Sequence, residues 1–386
     1  MKKIVGIIAA AALATSAFAE VNIGLGANQA FAPIAYDGDD IVTVGPVANW
    51  DGLKADGTGT GSGNQTGRLG ISFSASNEVA GIVTDIHNEN KTFDNAYGWV
   101  KPFSFLKISA GRIDGPWTRL GFGYGAWNTL RPSHIDGAGD DLAFYRPHQP
   151  NFQVLLTPVE GLEIVYDYKS EDEYKIYDEV WNHARYGVSY NIEGVGKILA
   201  QVYGADPYTN KDGDEAKFNG TANVAFQLNG IEGLDAQFGV KAPINFDAYA
   251  TDNDGNFQAI NIGAGVNYTI DALTLHAYFN GALKSALDGT ERKFKDFGFA
   301  IGAGVDYALN DAYTLLADVR FINDKMFGDE ESHVIVFGGL EHHLTNANLK
   351  LGFVGETNSM VRGKLTDEGK LQSFTFGVPL VLDINF

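Results

Sequence analysis

The C-terminal residues alternate strictly between apolar and polar positions. From 373 to 386 every even position is apolar, and most odd positions are small or polar, with Val381 as the exception. The apolar set is Phe374, Phe376, Val378, Leu380, Leu382, Ile384 and Phe386. Because a β-strand points successive side chains to opposite faces, this pattern predicts a strand with one apolar face and one face that tolerates water.

The same alternation recurs along most of the chain. It is found at 69–75, 162–168, 184–192, 222–228, 234–244, 260–270, 273–283, 297–309 and 313–321. Amphipathic segments of about ten residues are typical of a transmembrane β-barrel. A secreted β-sandwich would also alternate, but its exposed face would be rich in Lys, Glu, Thr and Ser, whereas here the second face is rich in Gly, Ala and Asn.

The lengths of the connectors predict the number of strands. Short links occur at 76–79, 101–105, 157–161, 192–196, 229–233, 269–272, 310–311 and 345–348, and longer polar stretches lie between them. Short turns on one side and long loops on the other are expected of bacterial barrels. Eight turns join sixteen strands, and a first strand from Val21 to about Phe31 and the last strand bring the prediction to eighteen. Sixteen strands is the alternative, because residues 79–105 are weakly patterned.

The N-terminal residues predict export. A basic Met1-Lys2-Lys3 is followed by an apolar run from Ile4 to Leu13 and by Ala17-Phe18-Ala19, which resembles a cleavage site. We therefore expect residues 1–19 to be a cleaved signal peptide and residues 20–386 to form a single barrel domain.

Composition excludes several classes of function. The chain has no cysteine and a formal net charge of -20, which argues against thiolate metal sites and against nucleic-acid binding through a basic patch. Its histidines lack metal-ligand spacing, and no serine-hydrolase, zinc-protease or P-loop motif occurs. We predict no cofactor, no metal and no enzymatic activity, although a barrel-borne enzyme remains an alternative.

The predicted export signal, the amphipathic strands, the rhythm of short turns and long loops and the terminal Phe386 resemble the Gram-negative outer-membrane porin superfamily. This resemblance implies an outer-membrane location, contact with outer-membrane lipid and a possible homotrimer. It also implies that the last strand is the signal read by the outer-membrane assembly machinery, with Leu380, Leu382, Ile384 and Phe386 as the matching positions.

The resemblance also suggests a role for residues 113–150. They follow the fifth predicted strand (Leu106 to Arg112) and precede the sixth (Phe152 to Leu156), where porins fold a loop into the barrel. The charged residues expected at this constriction are Asp114, Arg119, Arg131, Asp136, Asp140 and Asp141. A loop lying outside the barrel mouth is the alternative.

Strand parity predicts which charges line the lumen. The expected wall residues are Arg68, Lys107, Arg185, Lys241, Arg320 and Asp318. Because an Arg or Lys facing lipid at mid-membrane would cost about 2–4 kcal/mol, these side chains should face water or one another. We therefore predict a passive channel for small polar solutes with a preference for cations. The alternatives are a sugar-type specific channel and a barrel-anchored surface protein that acts through its loops.

Overall fold

The computed structural model describes residues 20–36, 38, 40–47, 68–87, 95–113, 151–168, 184–205, 219–244, 258–288, 291–323, 332–359 and 372–386. These residues form nineteen β-strands in one antiparallel sheet. The strands are β1 Glu20–Tyr36, β2 Ile41–Val47, β3 Arg68–Ser76, β4 Ala80–His87, β5 Ala96–Phe103, β6 Leu106–Arg112, β7 Phe152–Leu156, β8 Leu162–Tyr168, β9 Ala184–Ile192, β10 Gly196–Ala205, β11 Asn219–Leu228, β12 Leu234–Pro243, β13 Gln258–Ile270, β14 Leu273–Asp288, β15 Glu291–Asn310, β16 Tyr313–Ile322, β17 His333–Leu344, β18 Ala347–Ser359 and β19 Gln372–Asn385.

Pairing between the first and last strands closes the sheet into a barrel. Gly26 of β1 pairs with Asn385 of β19, and the ladder continues to Tyr36 opposite Phe376. Each pair from β3 with β4 to β18 with β19 is antiparallel and joins consecutive strands. Closure satisfies the backbone hydrogen bonds at both sheet edges, which a membrane requires because lipid offers no replacement partner.

Two short strands share one position of the barrel. β2 pairs with the second half of β1, with Ile41 opposite Tyr36, while β3 pairs with the first half, with Arg68 opposite Asn28 and Ser76 opposite Glu20. Both strands run antiparallel to β1, so together they fill the second position. The barrel therefore has eighteen strand positions, which confirms the predicted count and excludes sixteen.

The predicted turns are also confirmed. Eight tight connections lie at one end of the barrel, between β3 and β4, β5 and β6, β7 and β8, β9 and β10, β11 and β12, β13 and β14, β15 and β16, and β17 and β18. Two of them use non-glycine residues with positive φ, Asp271 and Asn346, which tolerate the left-handed conformation better than most side chains. β6 ends and β7 begins at the opposite barrel end, and residues 114–150 of the predicted constriction segment lie outside the described part of the chain.

The outward face of the barrel is an apolar belt. Large apolar side chains that are more than a third exposed occur on strands all around the ring, including Ile23, Leu25, Ile71, Ile82, Val188, Ile198, Phe238, Val266, Ile301, Val319, Val336 and Leu351. Aromatic side chains add to the belt, with Tyr190, Tyr268 and Tyr307 near the short turns and the stacked Phe297 and Phe299 nearer the other end. Such a belt needs a bilayer around it.

Candidate functional site

The inward face of the barrel carries the polar and charged side chains. On β19 the odd positions point inward, and Thr375 and Val381 are buried, whereas Phe374, Leu380 and Leu382 of the even positions are exposed. The buried polar side chains of the other strands follow the same parity and include Ser109, Gln153, Asp167, Arg185, Gln201, Asn223, Asn261, Asn280, Asp318, Arg320, His333, Lys350 and Glu356. The interior of this barrel is therefore the candidate functional site.

One buried ion pair lies within a single strand. On β16 the Arg320 Nε donates to Asp318 Oδ1 at 2.8 Å, and its Nη2 donates to Asp318 Oδ2 at 3.2 Å. Alternate residues of a strand share a face, so Asp318 and Arg320 can form this two-point contact. The guanidinium carbon of Arg320 also lies 5.7 Å from the ring centroid of Tyr278 on β14.

A second buried ion pair joins two strands. Arg185 at the start of β9 donates through Nη2 to Asp167 near the end of β8. Asp167 also accepts from Gln153 Nε2 of β7, at 3.4 Å. β8 and β16 stand eight positions apart in a ring of eighteen, so the two pairs lie on nearly opposite walls. Both pairs lie toward the long-connector ends of their strands.

Near the short turns, charged groups form a connected network on β16 to β19. Lys350 Nζ lies 2.7 Å from Asp383 Oδ2 and 3.6 Å from Glu341 Oε1. His343 lies beside this group, with Nδ1 3.2 Å from Asn348 Oδ1 and Nε2 2.9 Å from the Thr314 hydroxyl oxygen. One lysine thus balances two carboxylates, which leaves this part of the wall with a negative excess.

Two further groups of polar contacts, around His276 and around Glu163, lie at the same end of the barrel. His276 Nδ1 lies 2.6 Å from Asn267 Oδ1, and its Nε2 lies 3.0 Å from Asp306 Oδ2. On β8 Glu163 accepts from the Ser189 hydroxyl at 3.0 Å and from Lys197 Nζ at 3.4 Å. The polar groups of the inner wall are therefore tied to one another across neighbouring strands.

An aromatic and basic cluster occupies the inner wall of β5 and β6. Lys107 Nζ lies 4.8 Å from the ring centroid of Trp99, and Lys101 Nζ lies 5.4 Å from it. A Cβ built on Gly81 of β4 would approach the Trp99 indole to 2.6 Å, so the ring lies directly over this glycine. Of these residues only Lys107 is among the predicted wall residues.

The inner wall also has a large apolar patch that sequence reasoning missed. Buried apolar side chains on the inward faces of β14 to β19 and β1 form one cluster, which includes Tyr278, Leu316, Ile322, Ile335, Phe337, Val354, Val381 and the alanines Ala30, Ala32 and Ala35. The inner wall of β14 to β19 therefore combines apolar side chains with the polar and ionic groups described above.

The predicted site residues divide into three groups. Arg185, Arg320 and Asp318 face inward in ion pairs, Lys107 faces inward at Trp99, and Lys241 stands inward on β12 between Asn223 and Asn261. Arg68 is placed by its backbone at the start of β3. The loop residues Asp114, Arg119, Arg131, Asp136, Asp140 and Asp141 lie outside the described residues, and so does the predicted signal peptide.

The last strand presents its apolar face outward. Leu380 and Leu382 are more than a third exposed, and Ile384 continues the same face. Phe386 is 70% exposed, and its backbone exchanges two hydrogen bonds with Leu25 of β1, at 2.8 and 2.9 Å.

The described residues contain no group of three or more His, Asp or Glu side chains placed to hold a metal ion. Within the same residues, no helix has the length and apolarity needed to cross a membrane.

Comparison with known proteins gives a likeness of fold. No protein-family model and no curated protein matches the sequence. Among solved structures, the outer-membrane expressed OmpT of Vibrio cholerae is similar at 14% identity and a TM-score of 0.51, covering 95% of this chain and 98% of its own. A porin refined at 1.8 Å resolution is similar at 12% identity and a TM-score of 0.50, covering 95% of this chain and 100% of its own.

These likenesses extend over nearly the whole of each chain, so they concern the complete barrel. The closed ring of eighteen positions, the apolar outward belt and the charged inward face agree with them. The chain has the fold of these porin-like outer-membrane β-barrels, and its apolar belt requires a lipid bilayer around it.

Proposed function

We propose that this protein is a passive diffusion channel through which small hydrophilic solutes cross the outer membrane, with a preference for cations. The observation that carries the proposal is the closed barrel with charged side chains on its inner wall. Inward carboxylates outnumber inward ammonium and guanidinium groups among the described side chains. The acids are Asp85, Glu163, Asp167, Asp235, Asp296, Asp306, Asp318, Glu341, Glu356 and Asp383, against Lys101, Lys107, Arg185, Lys197, Lys241, Arg320 and Lys350.

The mechanism consists of exclusion by size and selection by charge. A wall with excess negative charge raises the local concentration of cations and lowers that of anions. The buried pairs on β16 and on β8 and β9 are neutral, so they fix the shape of the wall. The excess resides mainly near the short turns, where Glu341 and Asp383 share Lys350.

Residues 113–150 are the proposed constriction. Their acidic residues Asp136, Asp140 and Asp141 would then act on every passing ion, because selection is strongest where the channel is narrowest. Replacing the three residues with Asn should lower the ratio of cation to anion permeability. An unchanged ratio would refute this part of the proposal.

Purified protein in planar bilayers tests the channel itself. We expect stepwise, ohmic openings. A folded barrel that carries no current would overturn the proposal and favour a barrel-anchored surface protein that acts through its loops. Sugar-dependent block of the current would instead indicate a specific channel, for which the inward Tyr203 and Tyr278 are the candidate contact residues.

Assembly requires two further proposals. The outward face of β19, with Leu380, Leu382, Ile384 and Phe386, is proposed as the surface that the outer-membrane assembly machinery reads. A homotrimer is proposed on the resemblance to porins, and native mass spectrometry of the purified barrel tests it directly. The proposed activity needs neither a cofactor nor catalysis.

A further inference from the structure

Lys101 and Lys107 differ from four other basic side chains of the inner wall. Arg185, Arg320, Lys197 and Lys350 each contact a carboxylate. Across the residues that the structure describes, Lys101 and Lys107 have no ion pair. The ammonium group of each lies near the Trp99 ring instead.

The register places the two lysines close together. Trp99 of β5 pairs with Ser109 of β6 and Val100 with Ile108, and the register then shifts before Phe103 pairs with Leu106, so Lys101 and Lys107 stand on neighbouring strands within this irregular stretch. Both ammonium groups lie within 5.4 Å of the Trp99 ring centroid, and like charges on neighbouring strands are destabilising. The ring of Trp99 offsets part of this repulsion, since an ammonium over an indole gains about 0.5–1 kcal/mol at an exposed site.

Trp99 packs directly over the bare backbone of the neighbouring strand. Gly81 provides the space, because a side chain there would collide with the indole. The two ammonium groups therefore share one aromatic platform, the Trp99 ring, just inside the short-turn mouth of the barrel. This arrangement lies in an otherwise acidic lumen, where an unneutralised pair of lysines needs an explanation.

We propose that Lys101, Lys107 and Trp99 form a binding site for a small soluble anion with phosphate chemistry. A phosphate dianion would accept hydrogen bonds from both ammonium groups, and charge-assisted bonds of this kind are roughly twice as strong as neutral ones. Lysine suits the ligand as a compact point charge with three donors. Bound phosphate replaces the repulsion between the lysines with two attractions.

The site binds anions at the mouth of a channel whose wall otherwise favours cations. The site extends the proposed function by naming one class of solute, small anions with phosphate chemistry, that binds to the channel wall. It is independent of conduction, because binding can be measured whether or not the barrel carries current.

Isothermal titration calorimetry of the refolded barrel with inorganic phosphate at low ionic strength tests the proposal. Low salt is needed because exposed charges are screened at higher ionic strength. We expect one saturable site in the wild type and at least a tenfold loss of affinity in K101Q/K107Q, which corresponds to about 1.4 kcal/mol. The single variants K101Q and K107Q should each lose part of the affinity, so the test stands if the double variant does not fold.

Lys197→Gln is the matched control. Lys197 also points inward beside a short turn but is paired with Glu163 at 3.4 Å. Its replacement removes the same charge, and phosphate affinity should stay within twofold of the wild type. The proposal is overturned if the wild type binds no phosphate, if K101Q/K107Q binds as well as the wild type, or if K197Q loses as much affinity as the double variant.

Discussion

Two sites on the inner wall use the same packing arrangement and differ in charge balance. Trp99 lies over Gly81 with Lys101 and Lys107 at its face, and Tyr278 lies over Gly302 with Arg320 near its ring. In each case an inward aromatic ring covers a glycine on the neighbouring strand and contacts a cation.

The difference lies in what neutralises the cation. Arg320 is bonded twice to Asp318, and both side chains are buried. The lysines beside Trp99 have no carboxylate partner among the described residues, and Lys101 is exposed. The first site is therefore a closed structural unit, whereas the second keeps charge free for a solute.

Breaking the buried pair should have the largest effect on stability. Asp318→Asn removes the carboxylate that holds the buried Arg320 guanidinium at two points, and removing one partner of a buried ion pair typically costs about 3–5 kcal/mol. We expect that loss in the free energy of unfolding, measured by urea titration of the barrel in lipid vesicles.

The double variant D318N/R320M should recover much of that loss, because it removes the buried guanidinium together with its carboxylate partner. If the double variant loses as much unfolding free energy as Asp318→Asn alone, side-chain packing at β16 contributes more to stability than the charge pair does. The cross-strand pair of Asp167 and Arg185 offers the same comparison on the opposite wall.

Replacing the glycine beneath either aromatic ring should have the next largest effect on the free energy of unfolding. A Cβ at position 302 would clash with a Tyr278 ring carbon, so Gly302→Ala forces the ring away. Overpacking of this kind costs about 1–3 kcal/mol. The combination G302A/Y278A should fold about as stably as Y278A alone, and the absence of that rescue in unfolding titrations would contradict the contact.

Gly81→Ala should act on stability in the same way, through the Trp99 indole at 2.6 Å. It should also displace the platform for the lysines and weaken phosphate binding. Gly302→Ala, in contrast, should leave phosphate affinity unchanged. Equal effects of the two glycine variants on phosphate affinity would remove the distinction between the two sites.

The smallest effect on stability is expected for the lysines. K101Q/K107Q removes a like-charge pair across neighbouring strands, and cross-strand pairs contribute roughly 0.2–1 kcal/mol. We expect the unfolding free energy to rise slightly without ligand. A clear fall would mean that the cation–ring contacts stabilise the barrel more than the repulsion destabilises it.

The sequence predicted the barrel well because strand parity is a local property. β6 and β7 have the predicted bounds, and the predicted apolar face of β19 is the exposed one. β2 was not predicted, because the alternation it shows is short and its place beside β1 depends on long-range pairing.

Strand parity could not predict the apolar patch inside the barrel. From Val334 to Phe337 every residue is apolar, so alternation cannot show that Ile335 and Phe337 are buried inward while Val334 and Val336 are exposed. The sequence pattern did not predict the Trp99 site for a related reason. Its lysines belong to different strands, and only the register between β5 and β6 brings them together.

The reversal potential of purified wild-type protein in a planar bilayer, under a gradient of potassium chloride, tests the central claim most directly. The account predicts stepwise currents whose reversal potential has the sign of a potassium-preferring pore, because inward carboxylates exceed inward bases. A barrel that is folded but carries no current, or a reversal potential of the opposite sign, would contradict it.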